Sequence, residues 1–179
     1  MEEVDRESEI NLKCRKGEKE QRSKGLNCIE LYNANLQLRQ DLLRSLGKLP
    51  WEELTKERGF GWKSIRDCLV HILECEDFWV RNVLKKEPFE DYRFEDFNSV
   101  NDFRRRWEKL QKQTLDFVRS ISPAQLAEPK EYSFSNGRSC GFSPEKALIH
   151  ILTHEFHHRG QISCILRQAG FEPPCLDLI

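Results

Sequence analysis

The chain has 179 residues, 38% apolar and 33% charged, with a formal net charge of -1. This length fits one domain with an ordinary core, and the balanced charge gives no pull toward nucleic acid or an anionic membrane. No apolar run approaches the roughly 18 residues of a membrane span. The start, Met-Glu-Glu-Val-Asp, lacks the basic and apolar segments of a secretory signal, so the cytoplasm is the expected address.

Residues 1–25 are over half charged with mixed signs and almost no large apolar side chains, and read as a disordered or frayed tail. The domain is expected over 26–179. Its first helix runs from about Cys28 to Leu46, with Ile29, Tyr32, Leu36, Leu42, Leu43 and Leu46 as an apolar stripe. Gly47 and Pro50 end it, and residues 50–61, including the Gly59-Phe-Gly61 segment, read as a connection. The second helix spans about Ser64 to Lys86. Ser64 is its N-cap and Asp67 sits at N3, where a carboxylate suits the helix N-terminus. Pro88 closes it, and 88–98 reads as a loop. Its aromatics Phe89, Tyr92, Phe94 and Phe97 look spare, available to cover a neighbouring chain or a pocket mouth.

A third helix is expected from about Val100 to Ile121, broken by Ser122-Pro123. Residues 129–142 hold Asn136-Gly137, the signal of a small hairpin or an ordered loop. The fourth helix begins with Ser143 as N-cap and Pro144 at N1 and stops at Gly170. Four amphipathic helices with little strand signal predict an all-α fold, a four-helix bundle. The seven cysteines are odd in number and form no Cys-x-x-Cys pair, so they read as reduced thiols. Cys68 and Cys164 lie in apolar helical runs and are expected as small core fillers.

The stretch from His150 to Gln161 holds four of the five histidines. His150, His154 and His158 fall on one helical stripe, and two imidazoles four residues apart can converge on one metal ion. His154-Glu155-Phe156-His157-His158 formally matches His-Glu-x-x-His, but zinc proteases with that motif take a further ligand well downstream, and only 21 residues follow His158. The third ligand is therefore sought upstream, where His71 is the remaining histidine; in a bundle it can face the fourth helix. His150 is read as lining or supporting the site, because i, i+4 and i+8 span about 12 Å of helix. His157 is rotated about 100° from His158 and is expected to face elsewhere. Glu155, similarly off the stripe, is a weak candidate for a general base and a better hydrogen-bond acceptor. Arg159 reads as a structural ion-pair residue, and Gly160, costly in a helix by about 1 kcal/mol, as a point of close helix packing.

The segment His-x-x-x-His-Glu-x-x-His-Arg-Gly-Gln, followed by Gly-x-x-Pro-Pro and an Asp, resembles the C-terminal signature of the DinB-like metal-binding family. The resemblance extends to the Ser64-Ile-Arg-Asp-x-Leu-Val-His71 run and to Glu76-x-x-Trp79, and covers about 28–179. It implies a four-helix bundle, often dimeric, with a divalent metal on three histidines, which match His71, His154 and His158 here. It makes a homodimer an expectation. DinB-like proteins are similar to thiol transferases that use low-molecular-weight thiols such as bacillithiol, and to mycothiol-dependent isomerases. The leading reading is therefore a metal-dependent enzyme, a thiol S-transferase or hydrolase, using zinc or nickel to activate a thiol or water. A non-catalytic metal-dependent binding or sensor module is the alternative, and a helical interaction protein with incidental histidines is a third. No nucleic-acid or membrane partner is expected; Arg104-Arg105-Arg106 reads as a solvated face.

Overall fold

A computed structural model describes residues 28–58 and 62–177 of the chain. The tail expected at 1–25 and the Gly59-Phe-Gly61 segment lie outside the described residues. Among the described residues, six α-helices follow in order: α1 (Cys28–Leu46), α2 (Trp51–Thr55), α3 (Ile65–Asp77), α4 (Val100–Ser120), α5 (Pro123–Ala127) and α6 (Pro144–Gln168). The four long ones, α1, α3, α4 and α6, form a bundle in which α3 and α6 share the most extensive contact. Among the described residues, no helix is long and apolar enough to cross a membrane.

The caps read from the sequence form. Ser64 accepts a hydrogen bond from the Asp67 backbone N–H, and Ser143 one from Lys146 N–H. Three segments differ in detail. The expected connection after α1 contains the short α2, whose Leu54 is fully buried. The end of the second long helix, Phe78–Leu84, winds as a π-helix, closed by Lys85 N–H to Val80 C=O and by Lys86 in the left-handed region at φ 60°. After Ser122, a reciprocal capping box with Gln125 starts α5.

The segment before α6 is a hairpin, β1 (Lys130–Ser133) antiparallel to β2 (Ser139–Phe142), with Tyr132 opposite Cys140. Gly137 donates to Phe134 C=O at 3.0 Å and adopts φ +81°, the left-handed conformation that glycine takes without steric cost. Tyr132 donates to Asn82 Oδ1 at 2.9 Å, which ties the hairpin to the π-helical segment.

Two apolar layers build the interior of the bundle, and a third cluster, Val83, Phe142 and Ala147, seats the hairpin. The larger joins Leu42 and Leu46 of α1, Leu69 and Leu73 of α3, Phe103 and Trp107 of α4, and Ile162 and Ile165 of α6. The smaller joins Val80, Val118, Leu148 and Ile151. The aromatics of 88–98 are not spare: Tyr92 and Phe97 are buried in the larger layer, and Phe97 stacks on Phe103 at 4.3 Å. Burial of a large apolar side chain contributes about 1.5–3 kcal/mol, which is why this loop wraps inward. Phe89 alone of the four is exposed, edge-on to Phe78. Cys68 is buried as expected, but Cys164 is exposed, because Ile162, Ile165 and Leu166 occupy the inward face of α6.

Between the apolar layers lies a polar one with a member from every long helix. Glu76 on α3 accepts from Tyr32 Oη and Arg39 Nη2 on α1, and from Thr114 Oγ1 on α4. Glu155 on α6 accepts from Asn35 Nδ2 at 2.7 Å and from Arg39 Nε and Nη2 at 2.9 and 2.6 Å. Arg159 donates to Asn35 Oδ1. All seven are buried. Two guanidinium groups and two carboxylates balance in charge, and their geometry fixes the depth of each helix against the others.

Candidate metal centre

The capped start of α3 fixes the phase of His71, two turns into the helix. Ser143 and Pro144 fix the phase of α6, on which His154 and His158 follow one turn apart. Across the α3–α6 seam the three imidazoles meet at their Nε2 atoms. His154 Nε2 lies 2.9 Å from His71 Nε2 and 3.1 Å from His158 Nε2. One ring nitrogen from each lies within 4.8 Å of the other two. His158 is buried; His71 and His154 are half-buried.

The protons in this cluster do not suffice for its contacts. Gln161 Oε1 lies 2.8 Å from His158 Nδ1, an amide oxygen that can only accept, so the ring proton sits on Nδ1 and leaves Nε2 as a bare lone pair. A single N–H on His71 Nε2 serves His154 and leaves two lone pairs facing between His154 and His158; a single N–H on His154 Nε2 aims at one neighbour and leaves the other contact without a well-aimed proton. Adding a second proton to a ring is opposed by burial. Burial, with the neighbouring His158, lowers His71 to about 4. Burial, with His158, His71, His150 and His157, lowers His154 to about 3. Burial also lowers His158. Three neutral imidazoles whose ring nitrogens lie within 4.8 Å of one another form a donor set that a divalent cation can satisfy. The residues present therefore fit a metal ion.

Supporting groups surround the trio. Trp62 stacks on His71, ring centroids 4.1 Å apart, and covers one face of that imidazole. Gln161 also donates from Nε2 to His157 Nε2 at 3.0 Å, so exposed His157 braces the group that orients His158. Such partners fix the ring orientation and tautomer of a metal-binding histidine. His150 and Cys75 form the next rung of the α3–α6 seam, with Cys75 Sγ 3.9 Å from His150 Nε2. Burial pushes the Cys75 thiol up to about 12, which keeps it protonated. His150 packs edge-on to Trp79 and stays outside the trio.

The structure turns Glu155 and Arg159 into the polar layer, away from the histidines. Burial opposes the charge on Glu155, but the Arg39 guanidinium overcomes this and holds the carboxyl below its ordinary range. Acting as a base would require it to give up three hydrogen bonds. Arg159 reaches Asn35 rather than a direct carboxylate partner. A Cβ on Gly160 would meet nothing within 4 Å, so the expected close packing is absent and nothing in the structure explains this glycine.

Sequence reasoning missed Trp62, Gln161, Asn35, Arg39 and Glu76. Gln161 had a signal, its i+3 spacing from His158 on the same helix. Asn35, Arg39 and Glu76 also had one, because they fall in phase with the apolar stripes of α1 and α3. Trp62 had none: it precedes the helix cap and reaches His71 only through the fold.

With this geometry in view, a sequence profile of the DinB family matches residues 19–179. The match begins within the segment read as a tail. An uncharacterized protein, YizA, of Bacillus subtilis (strain 168) is 26% identical over 151 residues, 84% of this chain and 93% of its own length.

Proposed function

The chain belongs to the DinB family, and from that premise we propose that it is a metal-dependent enzyme holding one divalent ion, zinc or nickel, on His71, His154 and His158. The observation that carries this reading is the convergence of three imidazoles at their Nε2 atoms across the α3–α6 seam. A divalent ion on three imidazoles retains room for a further ligand and supplies Lewis acidity, lowering the pKa of a coordinated water or thiol toward neutrality.

The chain's own residues do the remaining work. Gln161 holds His158 in the tautomer that presents Nε2. Trp62 and the bundle exclude water from one side of His71. The depressed imidazole pKa values keep all three rings neutral at pH 7, so no second proton on a ring competes with the ion. The polar layer anchors α6 at Glu155, between the two ligand positions on that helix. The reaction class that fits is attack by an activated low-molecular-weight thiol, or by water, on a small electrophile in the cytoplasm.

Metal content by mass spectrometry tests the premise, on untagged wild type beside His71→Ala and His154→Ala. The expected result is near one equivalent in wild type, lost in both variants. A wild type that takes up no zinc or nickel even after reconstitution overturns the reading. Thiol and electrophile screens with the restored metal then separate an enzyme from a binding module.

A further inference from the structure

From the histidine trio a continuous ladder of rings runs along the α3–α6 seam to the hairpin. Between ring centroids, His150 lies 5.6 Å from His154, and Trp79 lies 5.4 Å from His150. Phe78 follows at 5.8 Å from Trp79, and Phe134, just after β1, stacks on Phe78 at 6.2 Å. Granted the reaction proposed at the trio, we infer that this ladder is the subsite for the body of the electrophile and selects an uncharged aromatic one. Its rungs are reachable: His150 is exposed, and Trp79, Phe78 and Phe134 are half-buried. Phe89, edge-on to Phe78 at 5.5 Å, is one of two strongly exposed large apolar side chains among the described residues. The other, Ile149, adjoins His150 on α6. Exposed apolar groups that gather in one region mark ligand grooves or interfaces. At the trio itself, Trp62 covers one face of His71 and His158 is buried, whereas His150, on the ladder side, is open.

The lining selects the ligand. Among the described residues, the polar contacts of these rings are all with neutral groups. His158 and His157 use Gln161, Tyr132 beside Phe78 uses Asn82, and His150 faces Cys75. Burial keeps the Cys75 thiol protonated, so that rung is neutral as well. The cation–π contacts of the chain fall elsewhere, on Trp107, Phe94, Tyr92, Phe97 and Phe156. An acidic or basic body would lose hydration along the ladder and meet no counter-charge, which is costly. A neutral aromatic ring instead meets faces and edges, the offset and edge-on arrangements that aromatic pairs favour at roughly 4.5–7 Å. A substrate with its ring on Trp79 and its reacting carbon at the His154 end spans the two steps between them.

Calorimetric titration of the full chain with 2-naphthalenemethanol, a neutral and unreactive aromatic alcohol, tests the subsite. 2-Naphthoate, its anionic counterpart, is the parallel arm, and each titration is run on protein as purified and after chelation. Saturable one-to-one binding of the alcohol is expected in both, about tenfold tighter than naphthoate in chelated protein. Trp79→Leu keeps an apolar side chain but removes the ring, and should weaken the alcohol by about fivefold. His150→Ala, an exposed change outside the trio, should weaken it by about threefold and leave metal content unchanged; it carries the test if Trp79→Leu does not fold. No saturation in wild type overturns the inference. Unaltered affinity in a folded variant overturns it equally, and naphthoate binding as tightly as the alcohol after chelation overturns the selection for a neutral body. Because the alcohol is read in chelated protein, a chain that holds no metal can still pass this test, and one that holds metal can still fail it.

Discussion

Two faces of one helical turn, His154 to Arg159, show opposite ways of burying polar groups. On the lateral face, His154 and His158 meet His71 with more lone pairs than protons. On the inward face, Glu155 accepts three hydrogen bonds from α1, and the charges of the layer cancel. The histidine face is half-buried and carries no opposite charge to balance it; on the carboxylate face both carboxylates are paired, although Arg39 Nη1 and Arg159 Nε and Nη1 find no partner among the described residues. Three converging neutral imidazoles mark the place for a cation, whereas paired opposite charges mark a structural joint. The same six residues thus carry a candidate site and the anchor that holds it.

The largest effect that separates the faces is loss of the joint. Glu155→Ala removes the carboxylate that Arg39 and Asn35 address and leaves a buried guanidinium short of a partner. Breaking a buried pair from one side costs about 3–5 kcal/mol. Urea denaturation of metal-free protein should show a loss of that size, while His154→Ala, measured alongside, should change metal-free stability far less. Equal losses would erase the distinction between joint and site.

Acid sharpens the same comparison, because the two faces titrate in different windows. The folded values of His71 and His154, about 4 and about 3, lie below the ordinary 6.5. The unfolded chain therefore binds more protons between those limits, and the stability present above pH 6.5 is lost as pH falls toward 4. Glu155, also depressed, contributes stability that is lost only below its ordinary 4.5. Metal-free wild type should begin to weaken just under pH 6.5. The double variant His71→Ala/His154→Ala should hold its stability until the carboxylates protonate. Melting curves from pH 7 to 4 check this, and coincident profiles would refute it.

What the sequence made legible follows the same division. His154 and His158 lie on one helix at a spacing that places them together by geometry alone, and His71 was the remaining histidine. The bundle was legible because the apolar stripes of α1, α4 and α6 are long and their stops are marked by Gly47, Ser122-Pro123 and Gly170. The polar layer was not, although Asn35, Arg39, Glu76 and Glu155 occupy core-phase positions. A charged residue in phase with a stripe signals an interior partner, but the partner sits on another helix, and one-dimensional spacing does not say which. The π-helical winding of Phe78–Leu84 leaves no mark in the pattern either, since its buried Val80 and Val83 suit an α-helix equally.

The smallest effect concerns Gly160, which adjoins both faces and belongs to neither. It follows Arg159 of the joint and precedes Gln161 of the site. It is exposed, its φ lies outside the left-handed region, and space surrounds the position where a Cβ would stand. Alanine there meets no clash and removes the backbone freedom that glycine loses on folding. Gly160→Ala should therefore stabilise the metal-free protein by about 1 kcal/mol, with unchanged metal content. If it lowers metal content instead, flexibility between His158 and Gln161 serves the site. The lateral face would then depend on backbone freedom that the inward face, pinned by Glu155 and Arg159, does without.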